Sequence, residues 1–143
     1  MIEFFLPCVP PKANHQHKKI VRAGGFLRMA DKPELQQTKA TLDALLIAAK
    51  REVPGLPVNG SVRLDLVFVF PWLKSHSAKL RANGRVWKAS APDCDNLGKT
   101  FQDRLSALGF IGNDGTVCDL RVRKFYGDLP GITVRIAHCG VLD

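Results

Sequence analysis

Residues 61–70, SVRLDLVFVF, alternate strictly enough to dictate a strand. Val62, Leu64, Leu66, Phe68 and Phe70 fall on one face, with Arg63 and Asp65 on the other. Val67 and Val69 interrupt that polar face, so the far end of the strand needs cover on both sides. Such a segment has to lie in a sheet with other elements packed over its apolar face. The 143 residues are read as a single domain, 1–143. A globule of that size buries roughly 68–70% of its unfolded surface, so it needs neither disulfide nor metal to fold.

The flanking segments supply the cover. Residues 2–9 read as a strand that ends at Pro10-Pro11. Residues 12–30 carry Lys12, His15, His17, Lys18, Lys19, Arg22 and Arg28 without an acid, and read as a basic loop or irregular hairpin around Gly24-Gly25. Asp31 is placed to cap a helix, with Pro33 in its first turn and Glu34 as the reciprocal capping-box residue. Leu35, Leu42, Leu45, Leu46 and Ala49 carry that helix to about Arg51, and Pro54, Gly55 and Pro57 close it. A second helix covers 96–108 with Leu97, Phe101, Leu105 and Leu108 as its stripe, and Gly109-Phe110 reads as a Schellman-type end. Residues 116–126 and 132–138 read as strands of an antiparallel hairpin, with Val117 and Asp119 on opposite faces. The expected fold is α+β, a small mixed sheet flanked by two main helices.

Lys and Arg number 21 against 13 Asp and Glu, a net charge of +8, which suits a polyanion such as nucleic acid or simply keeps the chain soluble. The excess concentrates in 12–30 and in 71–91, where Lys74, Lys79, Arg81, Arg85 and Lys88 accompany Trp72, His76 and Trp87 with no acid. A structureless loop of that length is unusual in a compact domain and often functional. Cations interleaved with aromatics can follow a phosphate backbone or stack on a base; a solvated surface loop is the plainer alternative. No apolar run approaches the ~18–20 residues that cross a bilayer. The N-terminus lacks the basic region and apolar stretch of a secretory signal. Cys8, Cys94, Cys118 and Cys139 form no Cys-x-x-Cys pair, and His138-Cys139 lacks a second ligand at metal spacing. Free thiols in a reducing cytoplasm are therefore expected, not a structural zinc.

Against this basic background, residues 91–122 gather acids. Asp93 and Asp95 lie two apart just before the second helix, and such positions point the same way in an extended segment. Two converging carboxylates repel each other unless a cation or a helix N-terminus offsets their charge. One of them is also the natural N-cap. Pro92 keeps the residue before it extended. Lys99, four residues after Asp95, reaches the same pocket, where its ammonium can balance the carboxylates or stabilise a pentacovalent phosphate. Asp114, in the turn Gly112-Asn113-Asp114-Gly115, converges with them if that turn folds back over the helix N-terminus; otherwise it is an ordinary turn residue. Three such carboxylates suit Mg²⁺ or Mn²⁺ held with several waters. That kind of site activates a water and neutralises charge on a scissile phosphate. Asp103, four residues after Lys99, pairs with it or with solvent and is left out of the site.

The run Pro92-Asp93-Cys94-Asp95-Asn96-Leu97-Gly98-Lys99, an amphipathic helix, Gly109-Phe110, and Asn113-Asp114 before a valine-rich strand closely resembles the RusA family of Holliday junction resolvases, small endonucleases common in prophages. Leu6-Pro7-Cys8-Val9-Pro10-Pro11-Lys12-Ala13-Asn14 looks like that family's first strand leading into Pro-Pro-x-x-Asn, so the resemblance spans about residues 3–136. It implies that Asp93, Asp95 and Asp114 bind the metal and, with Lys99, carry catalysis. It implies Mg²⁺ as cofactor, and a homodimer that binds four-way junctions and nicks two opposing strands symmetrically in DNA recombination and repair. A globule with a radius of gyration of roughly 14–15 Å covers part of one duplex arm, whereas a two-fold dimer supplies two matched sites. Asn14 matches an asparagine near the DNA path, and Lys18, Lys19, Arg22, Arg28 and Lys88 are the candidate phosphate contacts. Three positions depart from the pattern. Asn113 stands where many relatives have a second acid, Ala91 stands where many have a base (Lys88 is the candidate substitute), and 71–91 is longer than in the shortest members. A nuclease for flaps or forks, or a non-catalytic nucleic-acid-binding module, are the alternatives. A pure binder gains nothing from carboxylates that repel phosphates.

Overall fold

The computed structural model describes residues 1–11, 18–23, 26–31 and 33–140, with side chains described for 1–11, 33 and 36–140. The alternating segment forms β4 (Val62–Pro71), the middle strand of a five-stranded mixed sheet. Its neighbours are β6 (Val117–Gly127), parallel to it, and β7 (Gly131–His138), antiparallel. β1 (Ile2–Pro7) pairs with the outer side of β7, and the short β5 (Arg85–Trp87) with the outer side of β6. The order is β1-β7-β4-β6-β5. β2 (Lys18–Ala23) and β3 (Phe26–Asp31) form a separate antiparallel pair with Ala23 opposite Phe26, the hairpin expected around Gly24-Gly25.

Two helices cover one sheet face. Leu42 and Leu46 of α1 (Pro33–Lys50) and Leu97, Phe101 and Leu105 of α3 (Cys94–Ala107) pack against Leu64, Leu66, Phe68 and Phe70 of β4 and Ile132, Val134 and Ile136 of β7. Phe101 meets Phe68 edge-on with centroids 5.9 Å apart. The helices are tied to each other by Arg104, whose Nε and Nη2 donate to the two carboxylate oxygens of Asp43 at 2.7 and 2.9 Å. No helix among the described residues is long and apolar enough to cross a membrane.

The opposite face is polar at one end. Glu3, Arg135, Asp65 and Arg123 form a chain of ion pairs across β1, β7, β4 and β6, with contacts of 3.2, 3.7 and 3.1 Å. Val67 and Val69 on the same face are nonetheless buried, as their break in the alternation requires. Gly131, opposite Val69, makes room: a Cβ there would lie 2.2 Å from the Phe5 ring, which fills that space.

Three expectations are corrected. The strands at 116–126 and 132–138 do not form a hairpin, because β4 lies between them and takes both as partners. A strand this apolar cannot leave either backbone edge unpaired in the interior. Asp31 ends β3 opposite Lys18 instead of capping α1, and the Glu34 side chain lies outside the described residues. Residues 71–91 are not structureless. The Ser77 hydroxyl caps the single turn α2 (Ala78–Arg81) by accepting the Leu80 N–H at 3.1 Å, and β5 follows. Arg81 locks this segment by donating to the carbonyls of His76 and Leu73 at 3.1 and 3.0 Å.

Val117 and Asp119 do lie on opposite faces, although residues two apart in a regular strand share one. The register slips between Val62 and Arg63, so Val117 faces Val62 and Asp119 faces Arg63, leaving Cys118 without a partner. Val117 turns toward the core and Asp119 bonds Arg63 at 2.8 Å in solvent.

α3 ends in the Schellman motif read from Gly109-Phe110. The Phe110 N–H reaches the Leu105 carbonyl at 2.9 Å, the Gly109 N–H reaches Ser106 at 3.3 Å, and Gly109 has φ +80°. Gly109→Ala is expected to lower stability by about 1–2 kcal/mol, the cost of a left-handed L-residue, read as a lower urea midpoint with unchanged slope.

Candidate functional site

The acidic segment is positioned by β6 before it becomes a helix. Lys124 of β6 extends its ammonium to the carbonyls of Ser90 and Pro92, at 2.5 and 2.7 Å, on either side of Ala91. The Lys88 ammonium donates to the Ser90 hydroxyl at 2.9 Å and to the Tyr126 hydroxyl at 3.0 Å, and its charge lies over the Phe70 and Tyr126 rings. Ser90 and Tyr126 hydroxyls also meet at 3.2 Å. The hydrogen bonds from Ser90 and Lys88 hold the pKa of Tyr126 below its ordinary phenol value, against the opposing effect of burial. Pro92 is buried, and the chain then enters α3.

Asp93 occupies the N-cap position in extended conformation (φ −73°, ψ 146°), yet its carboxylate makes no capping hydrogen bond. The plain N-cap reading therefore does not account for this side chain. Asp95 lies in the first turn and Lys99 one turn later, both exposed. Gly98 between them is buried: a Cβ there would lie 3.1 Å from Val122, so α3 lies close against β6. After α3, Phe110 and Ile111 anchor the chain in the core, and the Val58 N–H bonds the Phe110 carbonyl at 2.9 Å. The chain then surfaces as a short 3₁₀ turn, Asp114–Thr116, held by the Thr116 N–H and hydroxyl on the Asn113 carbonyl at 3.1 and 2.7 Å.

This turn lies beside the second turn of α3. Asp114 and Gly115 line an open concavity of about 270 Å³ together with Lys99, Gln102 and Asp103. The structure thus brings Asp114 to Lys99. It does not bring Asp93, Asp95 and Asp114 into one cluster: among the described residues, no three His, Cys, Asp or Glu side chains are placed to hold a metal ion. Asp103, set aside in the sequence, lines the concavity. The signal for it was its spacing, since 95, 99 and 103 follow one face of a helix at intervals of four.

Four acids without a side-chain partner gather at this corner; elsewhere among the described side chains only Glu52 lacks one. Glu3, Asp43, Asp65 and Asp119 each pair with an arginine, and Asp128 accepts the Trp72 indole N–H at 2.7 Å. Asp93, Asp95, Asp103 and Asp114 have no ion pair or hydrogen bond to their side chains among the described residues, and neither does the Lys99 ammonium. Of the candidate DNA contacts, Lys18, Lys19 and Arg22 lie on β2 and Arg28 on β3, while Asn14 lies outside the described residues. Lys88 is half-buried in the Ser90–Tyr126 network. Sequence reading had no signal for Lys124 or Tyr126, whose partners are more than thirty positions away along the chain.

A family model described as "Endodeoxyribonuclease RusA" matches residues 7–137. The chain is also similar to the uncharacterized protein YqaN of Bacillus subtilis (strain 168), with 30% identity over 95 residues. That match covers 63% of this chain and 66% of YqaN, just under two thirds of the relative's length.

Because Lys124 holds both carbonyls that lead into α3, Lys124→Met is expected to cost about 1–3 kcal/mol. Amide hydrogen exchange should accelerate at residues 93–97 more than in α1, and an even change along both helices would show that the clamp does not set this entry.

Proposed function

The chain belongs to the RusA family of endodeoxyribonucleases, and we propose that it acts in the cytoplasm as a homodimer that resolves four-way DNA junctions by paired, symmetric nicks with Mg²⁺ as cofactor. The observation that carries this reading is the charge contrast. In a chain of net charge +8, Glu3, Asp43, Asp65 and Asp119 pair with arginines and Asp128 accepts the Trp72 N–H, whereas four carboxylates around α3 and the 114–116 turn have no side-chain partner among the described residues. Carboxylates in that state repel a phosphate backbone, so they make sense in a DNA-cutting protein only with a cation to bridge the two.

The donor chemistry fits such a cation. Asp93, Asp95 and Asp114 offer exposed carboxylate oxygens, the hard ligands that Mg²⁺ selects. Mg²⁺ is commonly held by one or two carboxylates, waters and substrate phosphates, not by a closed protein cage, so the absence of a three-acid cluster among the described residues is compatible with it. Asn113 adds no carboxylate, so Asp114 is the ligand on that side. When bound, the ion lowers the pKa of a water and neutralises charge on the phosphate under attack. The reaction adds one water across one P–O bond and leaves a phosphate and a hydroxyl at the nick. Lys99 is free to stabilise the extra negative charge at phosphorus, since no carboxylate among the described residues engages it. Lys18, Lys19, Arg22, Arg28 and Asn14 supply backbone contacts that position the arms without reading sequence. Lys88 presents part of its charge from inside the Tyr126 network.

Asp95→Asn is expected to abolish Mg²⁺-dependent nicking of a four-way junction while junction binding stays equal or tightens; wild-type cutting would overturn the assignment. Comparing junction, flap and linear duplex at equal concentration, with and without Mg²⁺, identifies the substrate, and equal rates on flaps would move the reading to branched DNA in general. Neutralising Lys18 and Lys19 together should flatten the slope of log K against log salt by up to about 1.8 if both touch phosphate.

A further inference from the structure

The two tryptophans of the acid-free segment have different fates. Trp72 is half-buried against the core, its indole N–H donates to Asp128 at 2.7 Å, and its ring meets His76 edge-on with centroids 5.4 Å apart. Trp87 is 68% exposed. It sits on the edge strand β5 directly opposite Phe125 of β6, and the two rings stack at 4.4 Å with an interplanar angle of 31°. Phe125 therefore supports one face of the indole and leaves the other to solvent.

We propose that Trp87 is a stacking platform for an unpaired nucleobase of the DNA substrate, an inference that rests on the nucleic-acid reading above. Burial does not explain a tryptophan this exposed, and the charge of the segment that carries it indicates what covers it. The Arg85 guanidinium lies 5.8 Å from the centre of the Phe125 ring. Lys74 and Lys79 are exposed and have no ion pair or hydrogen bond to their ammonium groups among the described residues. The neighbouring acid, Asp128, is taken by Trp72. An open π-face backed by a second ring, with a guanidinium beside the pair and further exposed cations in the same segment, is how proteins hold single-stranded bases, the ring taking the base and the cations its phosphates. A stable protein partner needs on the order of 800 Å² per side, which one ring on a three-residue strand does not offer. A branch point is where such a base is cheapest to present, because its stack is already interrupted.

The test compares binding of the full chain, without divalent metal, to a duplex carrying one unpaired base and to the same duplex fully paired. Trp87→Ala is expected to weaken binding of the unpaired-base DNA about 5- to 100-fold and to change binding of the paired duplex less than twofold. Trp87→Phe should restore most of the difference. The component of tryptophan emission lost in Trp87→Phe should be quenched by the unpaired-base DNA alone. Equal weakening on both duplexes, or no change on either, overturns the platform and leaves the nuclease reading intact. A sedimentation shift from dimer to monomer in Trp87→Ala also overturns it, because the ring would then belong to an interface between copies. Wild-type protein that binds neither DNA overturns this inference and the nucleic-acid reading together.

Discussion

The structure depends on the placement of β4. Its apolar face is sealed by α1 and α3, and both its backbone edges are bonded, to β6 on one side and β7 on the other. Buried N–H and C=O groups without partners are costly, so those two neighbours are obligatory. The parallel pairing with β6 cannot be closed by a tight turn. The chain between them must cross over, and α3 is the element that crosses. The helix that carries Asp93, Asp95 and Lys99 is thus placed by a sheet-pairing requirement, and Gly98 sets how closely it lies on β6.

Much of this was legible locally. The strand at 61–70, the stripe of α3, its glycine-terminated end and the spacing of the acids are short-range patterns, and the fold reproduces them. What was not legible is non-local or too short to have a period. Adjacency along the chain suggested that 116–126 and 132–138 pair, but nothing in either segment says that β4 inserts between them. α2 has four residues and β5 three, too few for any periodicity to register in 71–91. Asp31 has good capping chemistry, yet extended pairing with Lys18 claims its backbone. At the candidate site, the spacing of Asp93, Asp95 and Lys99 was visible in the sequence, but that Asp103 lines a concavity with Lys99 and Asp114 was not, nor was the Lys124 clamp, which exists only through tertiary contact.

The pairing of charge follows the same division. The ion-pair chain through Glu3, Arg135, Asp65 and Arg123 and the bidentate Arg104–Asp43 pair connect structural elements. They tie β1, β7, β4 and β6 together and α1 to α3. Among the described residues, the acids of the candidate site connect nothing. There they contribute repulsion and no compensating contact, a pattern expected of groups whose partner comes from outside.

The slipped register at Cys118 has a consequence for how the chain tolerates changes in length. Upstream, residues 112–115 are exposed, and a residue gained or lost there can be absorbed by the turn. At 118 the extra residue is taken up as a bulge between Val117, which packs inward, and Asp119, which faces Arg63 in solvent. Removing it would make Val117 and Asp119 consecutive residues of a regular strand, which still point to opposite faces and still meet Val62 and Arg63. A residue gained or lost farther along β6, where the pairing with β4 is regular from Asp119 to Gly127, would instead turn inward-facing side chains outward. Insertions and deletions accumulated over divergence should therefore fall in 112–115 or at the bulge itself and spare the regular stretch of β6 that follows, although these stretches lie within a few positions of each other.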